Sequence, residues 1–398
     1  MTTSIKYLYE QYFVVLAAIS LILGPAIIEL LLLSNFFYCF ILYKENLKQS
    51  IKNNFIILIF FSFIVLSSIF NTYDFSIRGI LYLRFYLYFI ALIAILKNCK
   101  FTEHSNPLIF IWGFVIFDLI FQSFLGFDIF GFESFSYKTP EINKVITRLT
   151  GPFDDSRAGF YLVIITIFMG IELLQKNKFI LFFGINLLNC FIIPFTGERT
   201  SLIFSIILLF TSLSVLAIKK RKLFYSISIL LILVAPILFK LSPENVIDRN
   251  ITLLSYQIKN FKQTQWFAHF DTSLKIFKDY KFFGTGVRNF RNICSDKSYD
   301  GRYDKEFRCS THPHNKYLEI LSEVGIFPFI TILLIFLKTS FNIIREKINY
   351  ANCITLMAFT IIIFDPLLPS KSFFNNWMSS IFWILLAIIS TYSRKKTN

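Results

Sequence analysis

Long apolar runs separated by short basic segments dominate this chain. A helix needs roughly 20 apolar residues to cross about 30 Å of hydrocarbon. Twelve runs approach that length, near residues 12–24, 26–43, 54–70, 78–96, 106–125, 157–174, 179–194, 200–217, 223–240, 318–337, 352–368 and 373–392. The first two share one stretch, which Gly24-Pro25 interrupts. The pattern predicts an all-α integral membrane protein with about twelve transmembrane helices.

The positions of lysine and arginine predict the orientation of these helices. If both termini are cytoplasmic, every short connection on the inner side is basic, and residues 219–222 are the clearest case. The short connections on the other side, 71–77, 195–199 and 366–372, hold few basic residues. This distribution follows the positive-inside rule. No cleavable signal peptide is expected, because the first apolar run leads straight into further spans.

The same pattern divides the chain into three parts. Residues 1–240 hold nine expected membrane helices and an outer loop at about 126–156. Residues 241–316 form a large outer loop, and residues 317–398 hold the last three helices and a cytoplasmic tail. Because the two outer loops are the long polar segments, we expect the chemistry to lie there.

Composition and charge narrow the class of protein. Of the 398 residues, 55% are hydrophobic and only 16% are charged, whereas about 25% are charged in an ordinary soluble domain. The net charge of +15 raises the question of nucleic-acid binding. The basic residues lie mainly between apolar runs, however, which is typical of membrane topology, so we expect no nucleic-acid partner.

A histidine-rich junction stands where the large outer loop becomes a helix. His312 and His314 flank Pro313, and Asn315 follows. A helix N-terminus favours anions, and a neutral histidine there can act as a general base toward a hydroxyl. The alternative is a histidine that only caps the helix.

Several arginines are expected on the outer side, where basic residues are uncommon. Arg148 and Arg157 flank residues 149–156, Arg199 opens an apolar run, and Arg291 follows the Gly284-Thr-Gly286 turn. Arginine binds phosphate through a planar, bidentate fork. Arg148, Arg157 and Arg199 are therefore candidates to bind a lipid-linked pyrophosphate, and the alternative is that they extend toward lipid headgroups. Further candidates for substrate binding are Arg291, His312 and Asn315.

Two cysteines and three charged residues complete the candidates. Cys294 and Cys309 lie in the large outer loop, where an oxidising compartment would favour a disulfide; free thiols, or a zinc site with His312 and His314, are the alternatives. Within the spans, ionisable residues usually face protein or a cavity. Glu29, Arg84 and Asp118 are ionisable residues of this kind. We expect Arg84 and Asp118 to form a structural ion pair, and the alternative is a transport relay.

Four stretches resemble the O-antigen ligase/polymerase superfamily of bacterial membrane glycosyltransferases, and the similarity covers roughly residues 110–390. The stretches are Asp118 to Phe153, Gly197-Glu-Arg-Thr-Ser201, Trp266 to Gly286, and Thr311-His-Pro-His-Asn-Lys-Tyr-Leu-Glu-Ile-Leu-Ser-Glu-Val-Gly325. Phe373-Phe-Asn-Asn376 before the last apolar run also fits. The histidine motif is the most specific of them.

The resemblance implies a GT-C-like fold with a large, partly helical periplasmic loop, in the inner membrane, and an active site facing the periplasm. It implies metal-independent, inverting transfer of a glycan from undecaprenyl diphosphate, without a cofactor. By this resemblance His314 activates the acceptor hydroxyl and Arg199 holds the diphosphate. Lys262 stands where the family usually has a second arginine, and a lysine keeps the charge but not the bidentate fork.

Several functions remain open at this stage. A ligase would pass the glycan to a lipid A–core sugar, a polymerase would join it to another lipid-linked repeat, and a third possible acceptor is a protein hydroxyl. A transporter or flippase for a lipid-linked sugar is a different class, although no symmetry between the two halves of the sequence supports it. A purely structural membrane protein would leave the outer arginines and histidines unexplained. The expected partners are the lipid-linked glycan, its acceptor and membrane lipids.

Overall fold

The computed structural model describes residues 3–71, 73, 77–98, 104–299, 301–346 and 349–393. From the N-terminus, the helices are α1 (Thr3–Leu23), α2 (Pro25–Leu42), α3 (Lys44–Asn53), α4 (Phe55–Phe70), α5 (Ile77–Tyr82), α6 (Arg84–Asn98), α7 (Ser105–Leu125), α8 (Ala158–Gln175), α9 (Phe179–Thr196) and α10 (Arg199–Lys219). They continue with α11 (Arg221–Lys240), α12 (Glu244–Ile247), α13 (Leu253–Lys259), α14 (Gln265–Asp279), α15 (Phe290–Ile293), α16 (Lys305–Arg308), α17 (Lys316–Val324), α18 (Ile326–Arg345), α19 (Tyr350–Phe364) and α20 (Asn376–Tyr392). Between α7 and α8, β1 (Phe135–Thr139) and β2 (Lys144–Arg148) form an antiparallel hairpin.

The chain folds into two compact units, each assembled from segments that are distant in the sequence. The first unit comprises Met1–Ile22, Lys100–Lys259 and Ile348–Phe359. The second comprises Leu23–Cys99, Asn260–Lys347 and Thr360–Asn398. The hairpin therefore belongs to the first unit, and the histidine motif belongs to the second. The three-part division expected from the sequence concerns the sides of a membrane and stays a prediction.

The apolar runs coincide largely with helices, but not all of these helices have the length of a membrane span. Among the described residues, seven helical segments are long and apolar enough to cross a membrane: Pro25–Leu42, Ile77–Lys97, Ser105–Leu125, Ala158–Gln175, Phe179–Thr196, Arg199–Lys219 and Ile326–Arg345. The pair α3–α4, bent by 79°, raises the number to eight if it counts as one span. The apolar parts of α1, α19 and α20 are shorter. By length and composition the protein is thus a helical membrane protein with fewer clear spans than the expected twelve.

The predicted start of one span, near residue 318, is wrong. Gly325 has φ +87° and separates α17 from α18, so the apolar span starts at Ile326 rather than near residue 318. A side chain at position 325 would collide with the backbone of Phe282. The left-handed backbone and the close approach both favour glycine, and the polar segment 316–324 becomes a separate short helix.

Two polar side chains of α7 hold the loop that follows it. Asp118 accepts a hydrogen bond from the backbone N–H of Ile129 at 2.8 Å. The Gln122 side-chain oxygen accepts from the N–H groups of Thr150 and Gly151 at 2.8 and 3.0 Å. The motif that begins at Asp118 thus holds loop 126–156 at two points, one on either side of the hairpin.

The expected ion pair between Arg84 and Asp118 is wrong. Arg84 is paired with Glu29 instead, and it also donates to Asn376 Oδ1 at 3.1 Å. Asn376 completes the network by donating to Glu29 at 2.6 Å. The residues of this network come from α2, α6 and α20 and satisfy one another, as charged groups within an apolar bundle must.

The Gly284-Thr-Gly286 turn packs directly on α17. The N–H of Thr285 donates to Ser322 O at 3.1 Å, and the N–H of Gly286 donates to Glu323 O at 2.7 Å. Gly284 has φ +63°, and a Cβ there would meet the backbone of Glu323. The turn therefore has a packing role.

Cys294 and Cys309 are joined by a disulfide that closes a segment of the loop before α17. Their Cα atoms lie 5.3 Å apart, and 15 positions separate them in the sequence. The buried side chain of Arg308 donates to Cys294 O at 3.0 Å and to Asp296 O at 2.9 Å, which ties the two ends of the segment together. Because both sulfurs are bonded, neither thiol is available to bind zinc.

Candidate active site

Three imidazole rings and an indole form one cluster in the second unit, and we call it the histidine cluster. The ring centroids of His312 and His314 lie 4.1 Å apart, and His269 stacks on His314 at 5.2 Å. Trp266 meets His314 edge-on at 4.9 Å. Helix α14 supplies Trp266 and His269, so it brings the sequence around the tryptophan to the histidine motif.

The backbone around His314 is fixed on both sides. His314 has φ +55°, which is uncommon for a residue other than glycine, and its carbonyl accepts from the N–H of Ser370 at 2.8 Å. The next residue, Asn315, caps α17 by accepting from the N–H groups of Tyr317 and Leu318 at 3.0 and 3.1 Å. The capping role thus belongs to Asn315, and the His314 side chain is left to other contacts.

Hydroxyl groups lie next to both histidines of the motif. The Ser310 hydroxyl is 3.1 Å from His314 Nε2, and the Thr311 hydroxyl is 2.9 Å from His312 Nδ1. The other ring nitrogen of His312 is 3.2 Å from Ser370 O. A hydroxyl thus already stands within hydrogen-bond distance of a nitrogen that is able to accept its proton.

Burial lowers the pKa of all three imidazoles. The pKa of His314 falls to about 3, chiefly through burial and further through the charges of His312 and His269. Burial likewise lowers the pKa values of His312 and His269 to about 4. The rings are therefore neutral at neutral pH and able to accept a proton. An anion bound nearby would raise these pKa values and strengthen the base.

Two buried carboxylates of α17 anchor the surrounding loops. Glu319 accepts from the Ser372 hydroxyl at 2.5 Å and from the N–H of Phe373 at 2.6 Å. Glu323 accepts from the N–H of Arg288 at 2.6 Å. Both glutamates precede the span that starts at Ile326, and burial raises the pKa of Glu319 to about 7. They hold the segments after residues 286 and 370 against the helix that carries the histidines.

Three arginines of the first unit surround the turn between α9 and α10, and we call Arg148, Arg199 and Arg249 the arginine cluster. Arg148 Nε donates to Thr196 O at 2.9 Å, and Arg249 Nε donates to Gly197 O at 3.1 Å. Gly197 has φ +63°, and a Cβ there would lie 2.8 Å from Arg148 Nε. Glycine thus lets two guanidinium groups approach one turn, and Arg199 begins the helix that follows it.

The charge of this cluster is only weakly balanced by acidic side chains, since Glu141 acts on Arg199 from a distance. Within the described ranges, no carboxylate lies within 4.0 Å of the three guanidinium groups. Glu198 turns away to the start of α8, where it accepts from Gly159 N at 2.8 Å. Arg249 lies over the ring of Tyr137 at 6.0 Å, and burial together with the charge of Arg199 lowers its pKa to about 10. Like charges held together and partly desolvated favour the binding of an anion.

The remaining candidates lie in three different settings. Arg157 lies 3.7 Å from Asp154 and 3.4 Å from Asp155, so its charge is largely compensated. Lys262 is exposed on the turn before α14. Arg291 is exposed but close enough to the histidine cluster to lower the pKa of His312 further. The structure thus groups Arg148 with Arg199 and Arg291 with the histidines, whereas Arg157 has acidic partners of its own.

Arg249, His269 and Ser310 were missed as site residues by the sequence analysis. Three of the four histidines in the sequence meet in one cluster, and the small number of histidines was a usable signal. Arg249 follows an apolar run on the expected outer side, the same signal that singled out Arg199. Ser310 stands next to the motif, and only the fold shows that its hydroxyl reaches His314.

The apolar helices place the protein in the class of helical membrane proteins. Within it, residues 184–333 match the family model described as O-antigen ligase, which confirms the resemblance to that superfamily. No curated protein matches the chain. The matched segment includes Arg199, Arg249, Lys262 and the histidine cluster, and it begins after Arg148 and Arg157. The match supports an enzyme of the ligase and polymerase type, with a lipid-linked glycan and an acceptor as partners.

Proposed function

We propose that the protein is an O-antigen ligase that moves a glycan from undecaprenyl diphosphate to a hydroxyl of a lipid A–core sugar. The observation that carries this proposal is the arginine cluster without a carboxylate partner, in a chain that matches the O-antigen ligase family. We further propose that all twelve apolar helices cross the inner membrane and that both termini are cytoplasmic. Residues 126–156 and 241–316 would then face the periplasm, where the disulfide is stable.

The arginine cluster suits the leaving group of this reaction. A glycosyl diphosphate leaves as an anion, so the step needs neutralisation of negative charge more than it needs a proton. Arg199, Arg148 and Arg249 offer guanidinium forks that match phosphate oxygens. Preorganised cations of this kind stabilise the charge that develops in the transition state, and we propose that the reaction needs no metal ion.

The histidine cluster suits the acceptor. We propose that Nε2 of neutral His314 takes the proton of the acceptor hydroxyl while the acceptor oxygen attacks the anomeric carbon. The bond from that carbon to the diphosphate oxygen breaks, the electron pair leaves with undecaprenyl diphosphate, and the configuration at the carbon inverts. The proton then leaves His314 to water. Ser310 would orient the imidazole until the acceptor hydroxyl displaces it from Nε2, and Arg291 and Lys262 would contact substrate at the rim.

A polymerase is the alternative within the same family, and the two differ only in the acceptor. Purified protein in liposomes should be given a lipid-linked oligosaccharide together with either rough lipopolysaccharide or a second lipid-linked repeat. Glycan on the lipopolysaccharide supports a ligase, and lengthened lipid-linked chains support a polymerase. Movement of the donor across the bilayer without either product would support a transporter and contradict the proposal.

A further inference from the structure

A cleft of about 940 Å³ opens in the first unit where α7 ends. Its walls come from the end of α7, strand β1 and the loop before α8, and they include Phe127, Phe135, Ser136 and Thr150. Its volume lies within the range of roughly 300–1,000 Å³ that is usual for pockets of small organic ligands. The reaction proposed above uses none of these side chains.

The cleft is built on fixed structure. Gln122 holds Thr150, and the Ser136 and Thr147 hydroxyls are hydrogen-bonded across the hairpin at 2.9 Å. Between the lining residues Phe127 and Glu133, Asp128 accepts from the N–H of Phe132 at 2.6 Å and closes a tight turn. Because three sets of hydrogen bonds determine its walls, the cleft exists before any ligand binds, which lowers the entropic cost of binding.

The lining matches the two kinds of surface that a sugar ring offers. Phe127 and Phe135 are 45% and 52% exposed although both are aromatic. The face of an aromatic ring is electron-rich, so the polarised C–H bonds of a pyranose pack on it. Thr150 also lines the cleft, and its hydroxyl is able to pair with sugar hydroxyls.

The hairpin connects this cleft to the arginine cluster. Phe135 lies directly opposite Arg148 in the strand register, and side chains so paired share one face of the hairpin. The ring of Phe135 is 5.5 Å from that of Tyr137, over which Arg249 lies. We propose that the cleft binds the sugar units of the donor that are nearest to the diphosphate. This inference rests on the proposed function, because it assigns the diphosphate to the arginines.

The charge of the lining restricts which sugars are accepted. Glu133, Asp154 and Asp155 contribute three carboxylates, and Arg157 compensates only part of their charge. A uronic acid would be repelled, whereas a sugar that carries an amine would be attracted. The cleft therefore selects amino and neutral sugars over acidic ones.

Binding of free trisaccharides tests the cleft without any diphosphate. Full-length protein in nanodiscs should be titrated with three trisaccharides and followed by saturation-transfer NMR. They are cationic chitosan trisaccharide (three glucosamine units), neutral chitotriose (three N-acetylglucosamine units) and anionic trigalacturonate. We expect affinity to fall in that order. Phe135→Ala should lower the affinity for chitotriose about five- to tenfold, because the contact with the ring is lost. The double substitution Asp154→Asn and Asp155→Asn should reduce the preference for the cationic over the neutral trisaccharide about two- to fivefold. Glu306→Gln, an exposed acid in the other unit, is the control and should change nothing.

The outcomes separate this inference from the proposed function. Arg199→Ala should leave trisaccharide binding intact and strongly weaken binding of sugar-free undecaprenyl diphosphate, whereas Phe135→Ala should weaken trisaccharide binding and leave binding of the diphosphate intact. Failure of glycan transfer, with the trisaccharide order intact, would remove the proposed function and leave the cleft. Equal binding of trigalacturonate and chitosan trisaccharide would contradict the proposal that the cleft is a sugar site. Unchanged binding of chitotriose by Phe135→Ala would contradict it as well.

Discussion

The hydroxyl oxygen of Ser310 lies 3.1 Å from Nε2 of His314. This is the distance at which a nucleophilic hydroxyl and its general base are held in enzymes that activate alcohols. The serine shows that the ring nitrogen is accessible to a hydroxyl from the side of residue 310. It also gives His314 a partner that fixes the orientation of the ring before an acceptor arrives.

Removal of the His314 imidazole should abolish most of the transfer. We expect His314→Ala to lower kcat on the order of 10²–10⁴-fold, the usual contribution of a general base. Ser310→Ala should lower kcat by roughly tenfold or less, because it loosens the ring without removing the base. The matched control is Thr311→Val, which removes the neighbouring hydroxyl that contacts His312 instead. Equal activity of wild type and His314→Ala in the liposome assay would exclude His314 as the base.

The pH dependence of kcat/KM should reflect the buried imidazole. Since burial holds the pKa of His314 at about 3, the free enzyme carries a neutral ring throughout the range from about pH 5 to pH 8. Lowering the pH through 6.5 should therefore leave kcat/KM unchanged. If the base were an exposed histidine, kcat/KM would fall about tenfold for each pH unit below the pKa of that histidine. Initial rates across this range provide the measurement. Because the pKa of buried Glu319 is also about 7, the same profile should be measured for Glu319→Gln, and a decline centred near pH 6.5 in both proteins would show that His314 is exposed to water in the working enzyme.

Arg249 should behave as a diphosphate ligand although the sequence motifs omit it. We expect Arg249→Ala to lower kcat/KM for the donor about 10–10²-fold, and Arg249→Lys to lower it less, because a lysine keeps the charge but loses the fork. Inorganic pyrophosphate should raise the Tm of the wild-type protein and should raise that of Arg249→Ala much less.

Arg302→Ala is the matched control for this experiment, since Arg302 is exposed and lies over the ring of Tyr303 in the other unit. It should respond to pyrophosphate as the wild type does. An equal response of wild type and Arg249→Ala would remove Arg249 from the anion site.

The disulfide should stabilise the segment before α17. Closing a loop of 15 residues contributes about 3 kcal/mol in the chain-entropy account. Replacing Cys294 and Cys309 together by serine should therefore lower the Tm of the detergent-solubilised protein, and a reductant should have the same effect on the wild type. Cys353→Ser, at a free cysteine, should do neither. If reductant leaves the wild-type Tm unchanged, the two thiols are not joined in the native protein.

The features that the sequence predicts well are those determined by local pattern. Apolar runs such as 106–125 become helices because a membrane segment must satisfy its backbone internally, and Gly24-Pro25 separates α1 from α2 as expected. The resemblance to the O-antigen ligase family rests on short motifs and is confirmed by the match over residues 184–333.

The features that the sequence did not predict depend on tertiary contacts. The hairpin 135–148 has mixed polar and apolar residues inside a long loop, and Asp118 and Gln122 of α7 hold the loop on either side of it. Two acidic residues within the expected spans, Glu29 and Asp118, were possible partners for Arg84. Only the packing of α2 against α6 determines that Arg84 pairs with Glu29. Similarly, Gly325 becomes a break rather than a helical glycine because the backbone of Phe282 lies against it.

The central claim is that guanidinium groups take the diphosphate and a neutral imidazole takes the acceptor proton. The most direct test is release of undecaprenyl diphosphate from a defined lipid-linked oligosaccharide, with rough lipopolysaccharide as acceptor and a chelator present, by wild type, Arg199→Ala and His314→Ala. We predict acceptor-dependent release by the wild type and on the order of 10²–10³-fold slower release by Arg199→Ala, the loss typical of a missing charge-stabilising donor. His314→Ala should still bind the donor and fail to transfer it. Release that stops in chelator, or that proceeds equally in all three proteins, would contradict the account.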